Sequence, residues 1–213
     1  AFITKFSSTG ALIWSSYYGG NAHELITAIE VDNSNKIYVT GHTSSSNLAC
    51  TPNAFRNTID GYENAFLGVF NNDGSIIYNS YYVKGSNTRG EAISITNNGT
   101  IYFSGYTNDT ETLTYPSIHQ TQNNGYIEGF LIKLTPQFQT IWKTYIGGDH
   151  NDLVEAMAID SLENIYIVGK TKSSTGIATA SSFQPNYSNN WDGFVTKLDS
   201  SCSLLWGSYI QAG

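Results

Sequence analysis

The sequence predicts an all-β fold, a β-propeller built of four-stranded antiparallel blades. Three observations lead to this prediction: a repeat of 64 residues, four short β-type segments in each copy, and turn residues between the segments. We assign the full copies to residues 1–64, 65–128 and 129–192, and a partial copy to 193–213. Residues 1–213 would then form a single, partial propeller domain of about 3.5 blades.

Large and small residues recur at this spacing without an insertion across the full copies. Chance does not align so many aromatic residues and glycines, so the period marks a unit of structure. The residues in register are Phe2, Phe66, Phe130 and Phe194; Trp14, Tyr78, Trp142 and Trp206; Tyr17, Tyr81, Tyr145 and Tyr209; Ala28, Ala92 and Ala156; and Gly41, Gly105 and Gly169.

Each copy contains two predicted hairpins. In the first copy the segments AFITKF and ALIWSSYY are separated by SSTG, and the segments ITAIEVD and KIYVTGHT are separated by NSN. β-Branched and aromatic residues fill the segments while Gly, Asn and Ser bound them, which is typical of strands joined by tight turns. No window keeps the apolar spacing of a helix. We therefore expect four antiparallel strands in each copy.

A propeller explains these hairpins better than a β-solenoid, whose rungs are normally much shorter than 64 residues. A small sheet that is apolar on both faces gains stability by stacking on its neighbours around an axis. We expect Ala28, Ala92 and Ala156 near the crowded axis, and the large Trp and Tyr residues where the blades diverge.

Several segments resemble a known repeat. AFITKFSSTGALIWSSYYGG, AIEVDNSNKIYVTGHTSS, TPNAFRN and GYENAF are similar to the bacterial seven-bladed β-propeller repeat family (the SBBP repeat). The third copy matches equally well, whereas the second departs at VKGSNTRG and at His119. The resemblance implies a propeller in secreted or cell-surface bacterial proteins, often large and multidomain, and it implies no single activity.

The resemblance also implies an order of strands from the axis outward. ITAIEVD would be innermost, followed by IYVTG, AFITKF and ALIWSSYY. The chain would then contain an outer pair followed by three complete blades, whereas closed propellers have about four to eight blades. We expect the sequence to be an excerpt of a longer chain that supplies the remaining blades. An intact mass near 23.3 kDa for the native protein would contradict this expectation.

The composition excludes some classes of partner. A net charge of −7 with only ten Lys and Arg residues argues against nucleic acid, which requires clustered cations. No apolar run approaches the roughly 20 residues that cross a bilayer. Cys50 and Cys202 are expected on opposite faces of the propeller, so a disulfide between them is not expected.

All the surplus loop length is predicted on one face. The turns SSTG and NSN lie on the other face, and long loops on a rigid scaffold are where binding usually occurs. Aromatic rings beside polar groups can stack on sugars or anchor a protein. Candidate ligand-binding residues on these loops are Tyr62, Tyr126, Tyr187 and Trp191. The alternative is that these rings pack against the next blade.

Catalytic motifs are absent from the sequence, which lacks a nucleophile elbow, a phosphate loop and a zinc-binding His-Glu-x-x-His. Glu24 and Asp152 share a register and are expected to accept backbone N–H bonds that hold the loop between blades. The alternative to this structural role is a calcium-binding role for the segment DHND, but the segment lacks the glycine and distant glutamate of an EF-hand. No metal or other cofactor is expected.

Three functions are compatible with these features. The first is a non-catalytic binding or adhesion scaffold of a secreted or cell-surface bacterial protein, with a protein or glycan ligand on the long-loop face. The second is a purely structural element that joins other subunits of a larger surface assembly. The third is a polysaccharide-acting enzyme domain that uses the loop carboxylates Glu24 and Asp152.

Overall fold

The computed structural model describes residues 1–188 and 190–210, which form fourteen strands and no helix. It therefore contains, within these ranges, no helix that could cross a membrane. The strands are β1 (Phe2–Phe6), β2 (Leu12–Tyr17), β3 (Glu24–Val31), β4 (Ile37–Thr43), β5 (Asn64–Phe70), β6 (Ile76–Tyr82), β7 (Thr88–Ile95), β8 (Ile101–Thr107), β9 (Glu128–Leu134), β10 (Thr140–Ile146), β11 (Asp152–Ile159), β12 (Ile165–Thr171), β13 (Asp192–Leu198) and β14 (Leu204–Ile210).

The strands form one two-stranded sheet and three four-stranded sheets, all antiparallel. We call β1–β2 the outer pair, β3–β6 blade 1, β7–β10 blade 2 and β11–β14 blade 3. Within each blade the strands follow chain order across the sheet, and the innermost strands β3, β7 and β11 contact one another in succession. This arrangement confirms the predicted propeller fold of about 3.5 blades and the predicted order of strands.

The core lies between the blades, because alternate residues of each strand point to opposite faces of its sheet. In β5, Phe66 packs with Ile3 and Tyr18 of the outer pair and its following connection. The next residue, Leu67, packs in the cluster that contains Phe103 of blade 2. A third cluster joins blades 2 and 3 in the same way. Each blade is thus stabilised mainly by apolar burial against its neighbours.

The short turns lie on one face, which we call the short-turn face, and share one backbone geometry. The fourth residue of each turn has a positive φ, and it is a glycine at Gly10, Gly74 and Gly99. Asn35, Phe138, Glu163 and Cys202 adopt the same conformation at a cost of roughly 1 kcal/mol each. Cys202 is buried in this turn, and both it and Cys50 are free thiols.

A β-bulge occurs at the same place in each innermost strand. The register shifts between Ile26 and Ala28 in β3, and equivalent shifts occur in β7 and β11. Opposite each bulge stands a glycine of the second strand, such as Gly105, where an added Cβ would overlap the carbonyl oxygen of Arg89. The close approach of two strands explains why glycine recurs at this register.

Candidate functional site: the long-loop face

The opposite face, which we call the long-loop face, carries the connections 44–63, 108–127 and 172–191. Each long loop first lies along the outermost strand of its own blade. Thr51 N–H donates to Asn79 O at 3.0 Å, and Tyr81 N–H donates to Arg56 O at 3.1 Å. Equivalent bonds join Tyr145 to Gln120 and Tyr209 to Gln184. Much of the loop length therefore covers an outer sheet edge.

A tyrosine of the outermost strand also forms a hydrogen bond to the main chain of each long loop. The hydroxyl of Tyr81 donates to Ser45 O at 2.6 Å and accepts from Leu48 N–H at 2.9 Å. Tyr145 and Tyr209 donate in the same way to the main chain of their own loops. These tyrosines are buried, and their hydrogen bonds hold the start of each loop against the blade that carries it.

The last residues of a long loop are tied instead to the next blade. Glu63 N–H donates to Ser86 O at 3.2 Å, and Thr88 N–H donates to Glu63 O at 3.1 Å. Gly61 permits this approach, because a Cβ there would lie 2.5 Å from the Cα of Ser86. Tyr62, between the two contacts, points outward and is 73% exposed.

The long loop of blade 2 makes equivalent contacts to blade 3, 64 residues later in the sequence. Asp152 N–H donates to Ile127 O at 2.8 Å, and a Cβ on Gly125 would overlap the carbonyl oxygen of His150. Tyr126, between these residues, is 72% exposed. The Gly-Tyr dipeptide therefore presents an exposed ring on a backbone that hydrogen bonds hold in place.

The other two candidate aromatic residues have different surroundings. Trp191 is half-buried, and the ammonium groups of Lys170 and Lys172 lie 5.7 and 4.9 Å from its ring centroid. Tyr187 packs in the cluster between blades 2 and 3, with its ring centroid 5.8 Å from that of Tyr209, and its hydroxyl donates to Asn190 O. The structure thus gives Tyr187 packing and hydrogen-bond contacts, whereas Tyr62 and Tyr126 present exposed rings.

A charged cluster fills the crevice between blades 1 and 2 beside Tyr62. Glu63 accepts a hydrogen bond from Arg89 Nε at 2.6 Å and lies 3.5 Å from His42 Nε2. Burial lowers the pKa of His42, while Glu63 opposes this change. Sequence reasoning missed the cluster. In the sequence the cluster is visible only as a difference between copies. The residues that follow His42, Glu63 and Arg89 by 64 positions are uncharged, and they are Tyr106, Ile127 and Leu153.

Glu24 and Asp152 are each the first residue of an innermost strand, and the carboxylate of Asp152 also accepts a hydrogen bond from the link between β10 and β11. Glu24 accepts bonds from the hydroxyls of Thr43 and Ser45. Asp152 is buried and accepts from Gly148 N–H at 2.7 Å and from the Ser173 hydroxyl at 2.8 Å. Burial raises the pKa of Asp152, although these hydrogen bonds oppose the increase.

A second set of buried polar residues begins the third strand of each blade. Glu128 accepts from Asn124 N–H at 2.6 Å and from the amide of Gln120, and Asp192 accepts from Ser188 N–H at 2.7 Å. Asn64 closes its loop with an amide in place of a carboxylate. Burial raises the pKa of Glu128 to about 7. The carboxylates of this face thus serve as acceptors that close loops.

The long-loop face presents exposed aromatic rings on a backbone that hydrogen bonds hold in place. Within residues 1–188 and 190–210, no three His, Cys, Asp or Glu side chains are grouped so that they could hold a metal ion. The exposed rings of Tyr62 and Tyr126 can stack on a flat apolar surface while their hydroxyls remain solvated.

Comparisons with known proteins bear on the fold. A scan against models of protein families matches residues 141–176 to SBBP, described as a beta-propeller repeat. A search of curated proteins finds no match. Among solved structures, the chain is similar to a protein of unknown function from Bacteroides caccae, with 9% identity over 96% of this chain and 73% of that chain. The TM-score is 0.42, which is too low to carry any argument.

The matched segment begins in β10, includes β11 and β12, and ends at residue 176 in the long loop 172–191. The 64-residue register carries the same strand pattern through the rest of the described chain. The comparisons therefore confirm the resemblance to the SBBP beta-propeller repeat family.

Proposed function

We propose that this chain is a non-catalytic propeller scaffold that binds a protein or glycan ligand on its long-loop face. The observation that carries the proposal is the pair of equivalent, exposed rings of Tyr62 and Tyr126, each held between backbone contacts to the next blade. Because the backbone that carries each ring is already held, a ligand that covers the ring has to order only the tyrosine side chain, which reduces the entropic cost of binding.

Polar groups beside the rings would orient such a ligand. Arg89 is partly exposed next to Tyr62, and two lysines flank Trp191. Binding sites commonly combine aromatic surfaces with a few directed polar groups, and sugars and protein side chains both use this combination. The net charge of −7 favours these ligands over nucleic acid.

The proposal includes the cellular setting and the partners. The resemblance to the SBBP family supports a secreted or cell-surface bacterial protein, in which the rest of a longer chain supplies the remaining blades. No cofactor is proposed. Other subunits of a surface assembly are the partners in the alternative, purely structural role.

A glycan array and a pull-down screen test the proposal with variants Tyr62→Ala, Tyr126→Ala and Trp191→Ala. Each loss of an aromatic ring should weaken ligand binding by about 10- to 100-fold, the usual effect of removing an aromatic anchor. Leu162→Ala is the control, because Leu162 is exposed on the short-turn face.

Two outcomes would contradict the proposal. A chain that binds nothing in either screen would favour the structural role. Turnover of a polysaccharide that is lost on replacing Glu24 or Asp152 would favour an enzyme, although both carboxylates already accept hydrogen bonds from neighbouring loop residues.

A further inference from the structure

Tyr62 and Tyr126 occupy equivalent positions at two neighbouring blade boundaries. The ring between blades 1 and 2 is 73% exposed, and the ring between blades 2 and 3 is 72% exposed. In both places the next residue accepts a backbone hydrogen bond from the first residue of the following blade. A ligand that contacts both rings therefore meets the same group twice. A polymer of repeating units fits this arrangement better than a folded protein, whose surface seldom repeats.

A continuous line of polar residues joins the two rings across the long-loop end of blade 2. We call it the amide strip, and it consists of Ser86, Asn87, Asn108, Asn123 and Asn124. At the Tyr62 side, Glu63 N–H donates to Ser86 O. The Asn108 amide then donates to Ser86 Oγ at 3.0 Å, and the Asn123 amide donates to Asp109 O at 2.9 Å. Asn124 continues the strip to within two residues of Tyr126.

The composition of the amide strip is specific to blade 2. The equivalent residues of blade 1 are Ala22, His23, Ser44, Ile59 and Asp60, and those of blade 3 are His150, Asn151, Lys172, Tyr187 and Ser188. Only the strip of blade 2 combines four amides with no ionisable side chain. Amides are thus concentrated in the blade that lies between the two exposed tyrosines.

Two amides of the strip have hydrogen-bonding capacity left for a ligand. Asn87 and Asn124 donate their main-chain N–H groups to Asn108 Oδ1 and to the Glu128 carboxylate, respectively. Their side chains have no hydrogen-bond partner in the part of the chain that the structure describes. An amide both donates and accepts, as the hydroxyl groups of a sugar do. The net charge of −7 would repel an acidic polymer.

We propose that Tyr62 and Tyr126 are two subsites that bind one chain of an uncharged polysaccharide, which crosses the amide strip between them. Each ring stacks on the apolar face of one sugar, and the amides hydrogen-bond to the hydroxyl groups of the sugars between. This inference rests on the function proposed above and narrows its ligand to one class of glycan. Because the two subsites act on one chain, its affinity exceeds that of either subsite alone.

Native electrophoresis of the 213-residue chain in gels that contain one polysaccharide each tests the ligand class. Hydroxyethylcellulose, xyloglucan, galactomannan and dextran are the uncharged probes, and polygalacturonate and alginate are the acidic probes. At least one uncharged polymer should retard the chain, and the acidic polymers should not. Tyr62→Ala and Tyr126→Ala should each reduce the retardation. Tyr62→Phe and Tyr126→Phe are the matched controls, and they should behave like the wild type because they keep the ring.

Titration calorimetry with oligosaccharides of increasing length, prepared from the polymer that binds, tests whether one chain spans both subsites. Short oligosaccharides should bind with two molecules per protein chain. Above the length that reaches from one ring to the other, one molecule should bind, and the affinity should rise by at least about tenfold. Either alanine variant should lose this rise.

Several results would overturn the inference. Two molecules bound at every length would mean two independent sites, and alanine variants with wild-type affinity would mean that the rings are not the subsites. Retardation by acidic polymers alone, or capture of a protein that requires Tyr62 and Tyr126, would overturn the ligand class and leave the proposed function intact. A chain that binds no polysaccharide and no protein would overturn both.

Discussion

At the scale of single residues, glycine is used here for two different physical reasons. Gly10 has a φ of +82°, and no atom lies within 4 Å of an added Cβ, so only the backbone conformation demands glycine. Gly105 has an ordinary φ, but the bulge in β7 brings the carbonyl oxygen of Arg89 into the place of its Cβ. The first reason concerns strain in a turn, and the second concerns the packing of two strands.

Alanine at the two positions should therefore have unequal effects. We expect Gly10→Ala to lower the free energy of unfolding by about 1 kcal/mol, the cost of placing a Cβ at positive φ. Gly105→Ala should cost about 3 kcal/mol, because two strands must separate to admit the methyl group. Urea unfolding of both variants measures the difference. Equal losses would contradict the distinction between strain and packing.

The sequence anticipated these positions to different degrees. The 64-residue spacing marked Gly41, Gly105 and Gly169 as one set without giving the reason, because a bulge leaves no local signal in an apolar strand. The exposure of Tyr62 and the partial burial of Tyr187 could not be distinguished from sequence. Both are tyrosines in polar loops, and only the path of each loop separates them.

At the scale of elements, each third strand begins with a buried polar residue that closes the preceding loop. Glu128 at the start of β9 is faced by Gln120, by the N–H groups of Asn124 and Gly125, and by Asp152 across the blade boundary. Burial raises the pKa of Glu128 to about 7, and burial also raises the pKa of Asp152. Blade 1 uses the uncharged Asn64 for the same purpose.

The carboxyl group of Glu128 should make the free energy of unfolding depend on pH. An unfolded glutamate loses its proton near pH 4.3, so the folded chain holds more protons between about pH 4.3 and 7. The free energy of unfolding should therefore fall as pH rises through this window, by roughly 3 kcal/mol for a pKa of about 7.

Glu128→Gln should remove most of this decrease, because an amide can also accept the loop N–H bonds and does not titrate. Urea unfolding at pH 4.5 and pH 7.5 compares the two chains. Glu30→Gln, which changes an exposed residue of β3, is the control and should keep the wild-type pH dependence. A wild-type chain that gains stability across the window would contradict the assignment.

The sequence predicted the elements well and the loops poorly. The number and order of the strands could be predicted from the hairpins, the turn residues and the fixed period. The docking of each long loop on its own outermost strand was not predicted. It depends on backbone hydrogen bonds such as that from Tyr81 N–H to Arg56 O, which carry no sequence signature.

At the scale of the whole molecule, stability should vary along the chain, because each blade is buried only by its immediate neighbours. Blade 2 has a complete blade on either side that contributes to its core. Among the described residues the outer pair is a two-stranded sheet, and Phe2, Ile13 and Tyr17 are exposed on it. Isolated two-stranded sheets are marginal in water.

Hydrogen exchange should follow this gradient. Amides of β1 and β2 are expected to exchange at least about tenfold faster than those of β8 and β9, since local opening of the outer pair breaks fewer contacts. Mass spectrometry of peptic fragments from the 213-residue chain measures both regions together. Uniform protection from β1 to β10 would contradict a stability that is set by neighbouring blades.

The hydrogen bonds between the end of a long loop and the next blade have a consequence for how the sequence of the long-loop face can vary. They use main-chain atoms of Glu63 and Ile127, so the side chains at these positions are not required for these bonds. Glutamate, isoleucine and tryptophan occupy the position in successive copies, as Glu63, Ile127 and Trp191. A substitution at this position can therefore change the chemistry of the long-loop face at one blade boundary while the backbone hydrogen bonds remain.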